Sequence, residues 1–256
     1  MARSTYLALG VFALGLGYAS TASSATININ ASLTNPSFEN GTTGWTVSNS
    51  AGTYTVTSAQ YTPGSDGLPG GLVVPDGTHA ANMPTGLSGN GSLSQTTNLT
   101  FAGGNIYVFD FWVGQPKTEP DGTTPVAGFP TVQVQLLTNG VTDNLGGNGT
   151  ATLTPLTGSG SVQNVGCGGS CAVVFNLPSP GSGQWQLWEL RYNDQFVNSG
   201  FVGIGLADLN ATNNTAVNFD IAAPGVPEPA TWGMMLLGFV GLGFAFRQSR
   251  RKIAFA

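Results

Sequence analysis

From Thr26 onward, apolar and polar positions alternate in short runs that are cut by Gly, Pro, Asn and Asp. The clearest run is Asn105-Ile106-Tyr107-Val108-Phe109-Asp110-Phe111-Trp112-Val113, in which positions 107, 109, 111 and 113 supply Tyr, Phe, Phe and Val to one face. A period of two marks a strand with one buried side. The same pattern predicts strands over 52–60, 91–100, 131–138, 151–156, 171–177, 184–192, 201–207 and 215–221. Between 26 and 226 no segment sustains a helical period, and no repeat of fixed length emerges. Many short strands with turn residues between them predict an all-β fold, an antiparallel jelly-roll sandwich formed by residues 26–225 as one domain. The Gly- and Pro-rich connections 62–71, 115–130 and 177–183 are expected at the ends of the sandwich.

Composition agrees with this reading. Only 7% of residues are charged and 38 are Gly, so the chain lacks the Glu, Lys and Ala content of long helices. The net charge of -5 understates the acidity of the middle, because Arg3 lies in the leader and Arg247, Arg250, Arg251 and Lys252 lie in the tail. Between 26 and 226, Lys117 and Arg191 stand against eleven carboxylates, a balance of -9. A surface of that sign repels phosphate backbones and excludes nucleic acid as a partner.

Both ends have the layout of processing segments. Residues 1–25 run from Arg3 through an apolar stretch, 7–17, to Ser23-Ser24-Ala25, a small-residue tract of the kind signal peptidase admits; cleavage is expected after Ala25. At the other end Val226-Pro227-Glu228-Pro229 precedes 17 uncharged residues, 230–246, and then the basic cluster Arg247, Arg250, Arg251 and Lys252. A helix of that length rises roughly 25 Å, enough for a minimal transmembrane span. The basic cluster would stay cytoplasmic and leave the domain outside the inner membrane. The prolines keep the motif extended, because Pro lacks an N–H and restrains its predecessor.

That order of motif, apolar helix and basic tail over 226–252 resembles the PEP-CTERM sorting signal. The resemblance implies an exosortase as partner, a membrane-embedded cysteine transpeptidase that removes the tail. It also implies an exported protein, anchored at first and then released to the cell surface or to an exopolysaccharide matrix.

A second resemblance covers most of the middle. Leu33-Thr34-Asn35-Pro36-Ser37-Phe38-Glu39-Asn40-Gly41 with Gly44-Trp45, then Pro75–Asn82, Gly91–Gln95, Tyr107–Trp112, Trp185 and Val217-Asn218-Phe219-Asp220-Ile221 are similar to galactose-binding-like jelly rolls, which include many carbohydrate-binding modules. The last acidic or amide pair of that pattern is split here by Phe219, and residues 114–183 carry extra loops. The resemblance implies a structural calcium held by Glu39 and Asp220, an ion that needs only oxygen ligands. It also implies sugar recognition by aromatic faces, for which Tyr61, Phe129, Trp188 and Tyr192 are the candidates at loops and strand ends. Trp45, Trp112 and Trp185 are assigned to the core or its rim.

Catalytic chemistry finds little footing. His79 is the single histidine, and no nucleophile-elbow motif accompanies it. Cys167 and Cys171 lack a second ligand pair for zinc, and in an exported protein they are expected to form a disulfide closing a tight Gly-rich loop. Several carboxylates, Asp66, Asp76, Asp121 and Asp143, precede Gly or Asn, where turn formation accounts for them. The expectation is a non-enzymatic surface or matrix protein that binds glycan. A coat or adhesin subunit without a small ligand and a secreted glycan-active hydrolase using two carboxylates are the alternatives.

Overall fold

A computed structural model describes residues 24–221 apart from 50, 66–67, 69–70, 84–90, 143–144, 146–147, 161, 167–171, 196–198 and 210–214. The leader up to 23, the sorting motif with its helix and basic tail, and Cys167 and Cys171 lie outside the described residues. The base of the Cys loop is closed by a hydrogen bond from the Ala172 amide to the Gly166 carbonyl, 3.1 Å.

Twelve strands are present among the described residues: β1 (Thr26–Asn28), β2 (Thr46–Ser48), β3 (Gly52–Thr55), β4 (His79–Met83), β5 (Ser92–Thr100), β6 (Ile106–Gln115), β7 (Thr131–Thr138), β8 (Gly149–Pro155), β9 (Val174–Leu177), β10 (Gln184–Asp194), β11 (Phe201–Leu209) and β12 (Val217–Asp220). They form two sheets. The seven-stranded sheet has the order β3-β4-β12-β6-β10-β8, with β1 added to β6, and the five-stranded sheet has the order β2-β5-β11-β7-β9. All pairings between strands are antiparallel except β1 on β6. The chain is thus an antiparallel β-sandwich, as its alternation predicts.

The long pairing of β6 with β10, from Gln115 opposite Gln184 to Ile106 opposite Asn193, sets the register of the larger sheet. Tyr107, Phe109, Phe111 and Val113 of β6 all enter the main core, as their spacing requires. They meet Trp188, Leu190 and Tyr192 of β10 and the inner faces of the other sheet, Val132, Val134 and Leu136 of β7 and Val202, Ile204 and Leu206 of β11. Burial of such side chains contributes about 1.5–3 kcal/mol each against exposure, which is what holds two sheets together.

The outer face of β6 is also covered. The described residues of segment 56–74 fold across it, and Val56, Tyr61, Leu68 and Val74 pack with Ala80, Trp112 and Trp185 into a second apolar cluster. Tyr61 stacks on Trp185 with ring centroids 4.5 Å apart. The absence of a side chain at Gly114 makes this possible, since a Cβ there would lie 2.5 Å from the Tyr61 hydroxyl and 2.7 Å from the Trp185 ring. The Tyr61 and Tyr54 hydroxyls donate to Asn218 Oδ1 at 2.6 and 2.9 Å, and Asn218 Nδ2 donates to Asn82 Oδ1 and the Ala81 carbonyl. A buried polar network with its partners supplied pins the covering segment to β12 and β4.

Three short strands, β1, β2 and β4, go beyond the sequence expectation. His79–Met83 contains neither a β-branched residue nor a large aromatic, so its strand character comes from pairing between β3 and β12 rather than from local preference.

Candidate functional site

The segment after β1 folds into a compact turn because Asn35, Phe38 and Gly41 adopt positive φ. Asn35 organises it: its Oδ1 accepts the Asn40 amide, its Nδ2 donates to the Gly41 carbonyl, and its own carbonyl accepts Trp45 Nε1 at 3.2 Å. Phe38 is driven into the core against Trp45, with ring centroids 5.1 Å apart. With Phe38 inward, Glu39 is directed toward the start of β4.

There Glu39 meets the Asp76-Gly77-Thr78-His79 turn. Its Oε1 accepts the Thr78 and His79 amides, both at 2.7 Å, and its Oε2 contacts Thr78 Oγ1 at 3.1 Å and His79 Nδ1 at 3.2 Å. Partial burial acts to raise its pKa, but the bonds from Thr78 and His79 prevail and hold it below the ordinary carboxylate value. Gly77 has φ +67°, and a Cβ on it would collide with the Glu39 carboxylate, so this approach requires glycine.

Asp220, in the last strand, is fully buried and completes the corner. Its Oδ2 accepts the Asp76 amide at 2.8 Å and its Oδ1 the Ile221 amide at 2.8 Å. Burial raises its pKa well above the carboxylate range, and the charges of Asp76 and Glu39 push the same way against the two backbone bonds. Glu39 and Asp220, singled out in the sequence, are therefore brought to one place, and Asp76 joins them. The signal for Asp76 was its place in the Pro75–Asn82 segment of the jelly-roll pattern, where it reads as an ordinary turn residue.

The fit of this corner to a calcium ion rests on its donor set. Among the described residues no group of three or more His, Cys, Asp or Glu side chains could by itself hold a metal ion. Two carboxylates would have to be completed by backbone carbonyls, which calcium accepts and zinc does not favour. A buried carboxylate repelled by two others is the electrostatic condition that a bound cation relieves.

The aromatic candidates for sugar stacking need correction. Tyr61, Trp188 and Tyr192 are fully buried, and Phe129 is half-buried against the main core. Tyr61 is pressed against Trp185 on the outer face of the larger sheet, while Trp188 and Tyr192 share the inward parity of β10. None of those three rings offers a face to a pyranose. Trp45, Trp112 and Trp185 are buried, as assigned.

Asp110 of β6 and Glu189 of β10 are register partners. Burial raises the pKa of Asp110 and the charge of Glu189 adds to the rise.

The HpiC1-like family model, described as HpiC1 cyclase, matches residues 23–164, more than half of the chain. The PEP-CTERM protein-sorting motif matches residues 225–252, so the chain carries the signal of an exported protein targeted through a membrane-anchored C-terminus. No curated protein sequence matches. Among solved structures, a cyclase from Fischerella sp. TAU is 17% identical with TM-score 0.48, covering 73% of this chain and 92% of that one. A Stig cyclase from the same organism, FisC, bound to (3Z)-3-(1-methyl-2-pyrrolidinylidene)-3H-indole, is 17% identical with TM-score 0.44, covering 69% and 81%. TmCBM61, a carbohydrate-binding module in complex with beta-1,4-galactotriose, is 17% identical with TM-score 0.41, covering 75% and 94%.

Proposed function

This chain belongs to the HpiC1-like family, and we propose that it is an exported, exosortase-processed β-sandwich without catalytic activity of its own. It is retained at the cell surface or in exopolysaccharide, where it associates with glycan. The observation that carries this reading is the placement of the sorting motif. The last of the described strands ends at Asp220 and the motif begins at 225, so cleavage there would free the described sandwich. Before processing, 230–246 would sit in the inner membrane with Arg247, Arg250, Arg251 and Lys252 on the cytoplasmic side. Calcium at Glu39 and Asp220 would tie the first turn of the domain to its last strand, and the disulfide between Cys167 and Cys171 is part of the same proposal for an oxidising compartment.

Mass spectrometry of the protein recovered from envelope and medium tests the reading. The expected C-terminus falls within or next to 226–229, with the apolar helix and basic tail gone, and Glu228→Ala leaves the tail in place. Protein found in the cytosol with leader and tail intact would overturn it.

A second reading is favoured by one observation, the buried Asp220 carboxyl beside Trp112 in register. A carboxyl whose hold on its proton is strengthened by burial and by neighbouring carboxylates can donate that proton to a substrate, as a cyclase would require. The two roles exclude each other, because a calcium ligand must be ionised. The Asp220 pKa followed by carbon NMR, with calcium and with chelator, separates them: ionisation only in calcium supports the structural role, and a protonated carboxyl in both supports the proton donor.

A further inference from the structure

The outer face of the five-stranded sheet is set by its register. Gly205 of β11 lies opposite Ser94 of β5 on one side and Gln135 of β7 on the other, and Ala207 lies between Ser92 and Gln133. The central strand therefore has almost no side chains on this face, while both neighbours carry polar ones. The result is a trough of about 310 Å³ with Gly205 and Ala207 as floor, Ser92 and Ser94 as one wall, and Gln135 and Leu137 as the other. Val141, a largely exposed side chain, stands at its rim.

The wall side chains are held by one another. Gln135 Nε2 donates to Gln133 Oε1 at 3.1 Å, and Gln133 Nε2 donates to Asn176 Oδ1 at 2.9 Å. This chain fixes the Gln135 amide so that its Oε1 lies 3.3 Å from where a Cβ on Gly205 would be, directed over the floor. On the opposite side Ser92 and Ser48 share a hydroxyl hydrogen bond of 2.7 Å. Preset amide and hydroxyl groups offer both donors and acceptors without the ordering cost of free side chains.

Charge decides the occupant. None of the residues lining the trough is ionisable, although the domain around it carries a balance of -9 between 26 and 226. An anionic polymer is repelled by that field, and a cationic one finds no carboxylate in the trough to pair with. The volume is at the lower end for ligand pockets, roughly 300–1,000 Å³, and the flat floor suits an extended ligand. We propose that this trough binds a segment of an uncharged polysaccharide through hydroxyl to amide and hydroxyl hydrogen bonds, without aromatic stacking. The inference rests on the glycan-associated reading above and names its site and ligand class.

The test is affinity electrophoresis of the purified protein in gels containing hydroxyethylcellulose, galactomannan or β-1,4-galactan, with alginate as the acidic control. The wild type is expected to be retarded by at least one neutral polymer and not by alginate. Gly205→Trp fills the floor and Gln135→Ala removes the fixed amide; each is expected to weaken retardation at least tenfold, while Thr152→Trp on β8 of the other sheet leaves it unchanged. Gln135→Ala, a half-buried wall residue, keeps the test open if Gly205→Trp fails to fold. Unretarded wild type in every neutral gel, equal retardation in alginate, or full retardation of the Gln135→Ala variant would each overturn the inference. Fractionation of cells into envelope, matrix and medium is run alongside. Protein present in matrix yet indifferent to the trough variants keeps the surface reading and rejects this site, whereas absence from envelope, matrix and medium rejects the reading itself.

Discussion

Calcium binding at the corner of Glu39 and Asp220, as proposed above, is tested by its effect on thermal stability. The perturbation is exchange of calcium for chelator at neutral pH. A calcium ion held there by two carboxylates, one of them already accepting four hydrogen bonds, would fall in the weak class typical of extracellular modules, with Kd roughly 10⁻⁴ M. At ~10 mM calcium, about a hundred times that Kd, preferential binding to the folded state stabilises by about 2.7 kcal/mol. For a domain of this size each kcal/mol moves Tm by about 2–4 °C, so the expected rise is about 5–10 °C. Asp220→Asn and Glu39→Gln should each abolish most of it, and magnesium, which demands a smaller octahedral shell, should reproduce little. Differential scanning calorimetry reads all of these in one series. Equal melting of the wild type in calcium and in chelator would refute the reasoning and leave the corner as a hydrogen-bonded clasp between the first turn and the last strand.

Two further outcomes follow from the same physical chemistry. In chelator the raised carboxyls of Asp220, Asp110 and Asp208 bind protons in the folded state at pH values where the unfolded chain has lost them, so stability should fall as pH rises from the ordinary carboxylate value toward neutrality. Glu39, which is lowered, and Asp121, lowered to about 2 by bonds from Thr124 and Thr123, act in the opposite sense, stabilising above the ordinary value and losing that contribution only as pH falls through their folded pKa. Urea unfolding at about pH 5 and pH 7 checks the sign, and greater stability at pH 7 would contradict it. Separately, Gly114→Val should push Tyr61 and Trp185 apart and cost about 1–3 kcal/mol, with a red-shifted tryptophan emission as segment 56–74 lifts from the sheet; an unchanged urea midpoint would show that this cover is not packed as described.

The alternation of residues along the chain determined the strands with a wet and a dry face. β6 enters the core with Tyr107, Phe109, Phe111 and Val113 because each stands two residues from the next, and 131–138 emerges as β7 with the same bounds. The tripartite tail was equally legible, since a sorting signal is local in sequence. Tertiary structure alone decided what lies over what. Tyr61, Trp188 and Tyr192 stand at loops and strand ends where sequence leaves both stacking and burial open; packing on Trp185 and the parity of β10 bury them, and β4 became a strand only between two partners. Glu39 stands 181 positions from Asp220 and 37 from Asp76, so the burial that perturbs Asp220, and the repulsion that adds to it, exist only once the turn, β4 and β12 meet. The same holds for the trough, whose floor and walls come from three strands far apart in the chain. Periodicity reports which side of a strand is buried; only the pairing of strands reports which residues become neighbours.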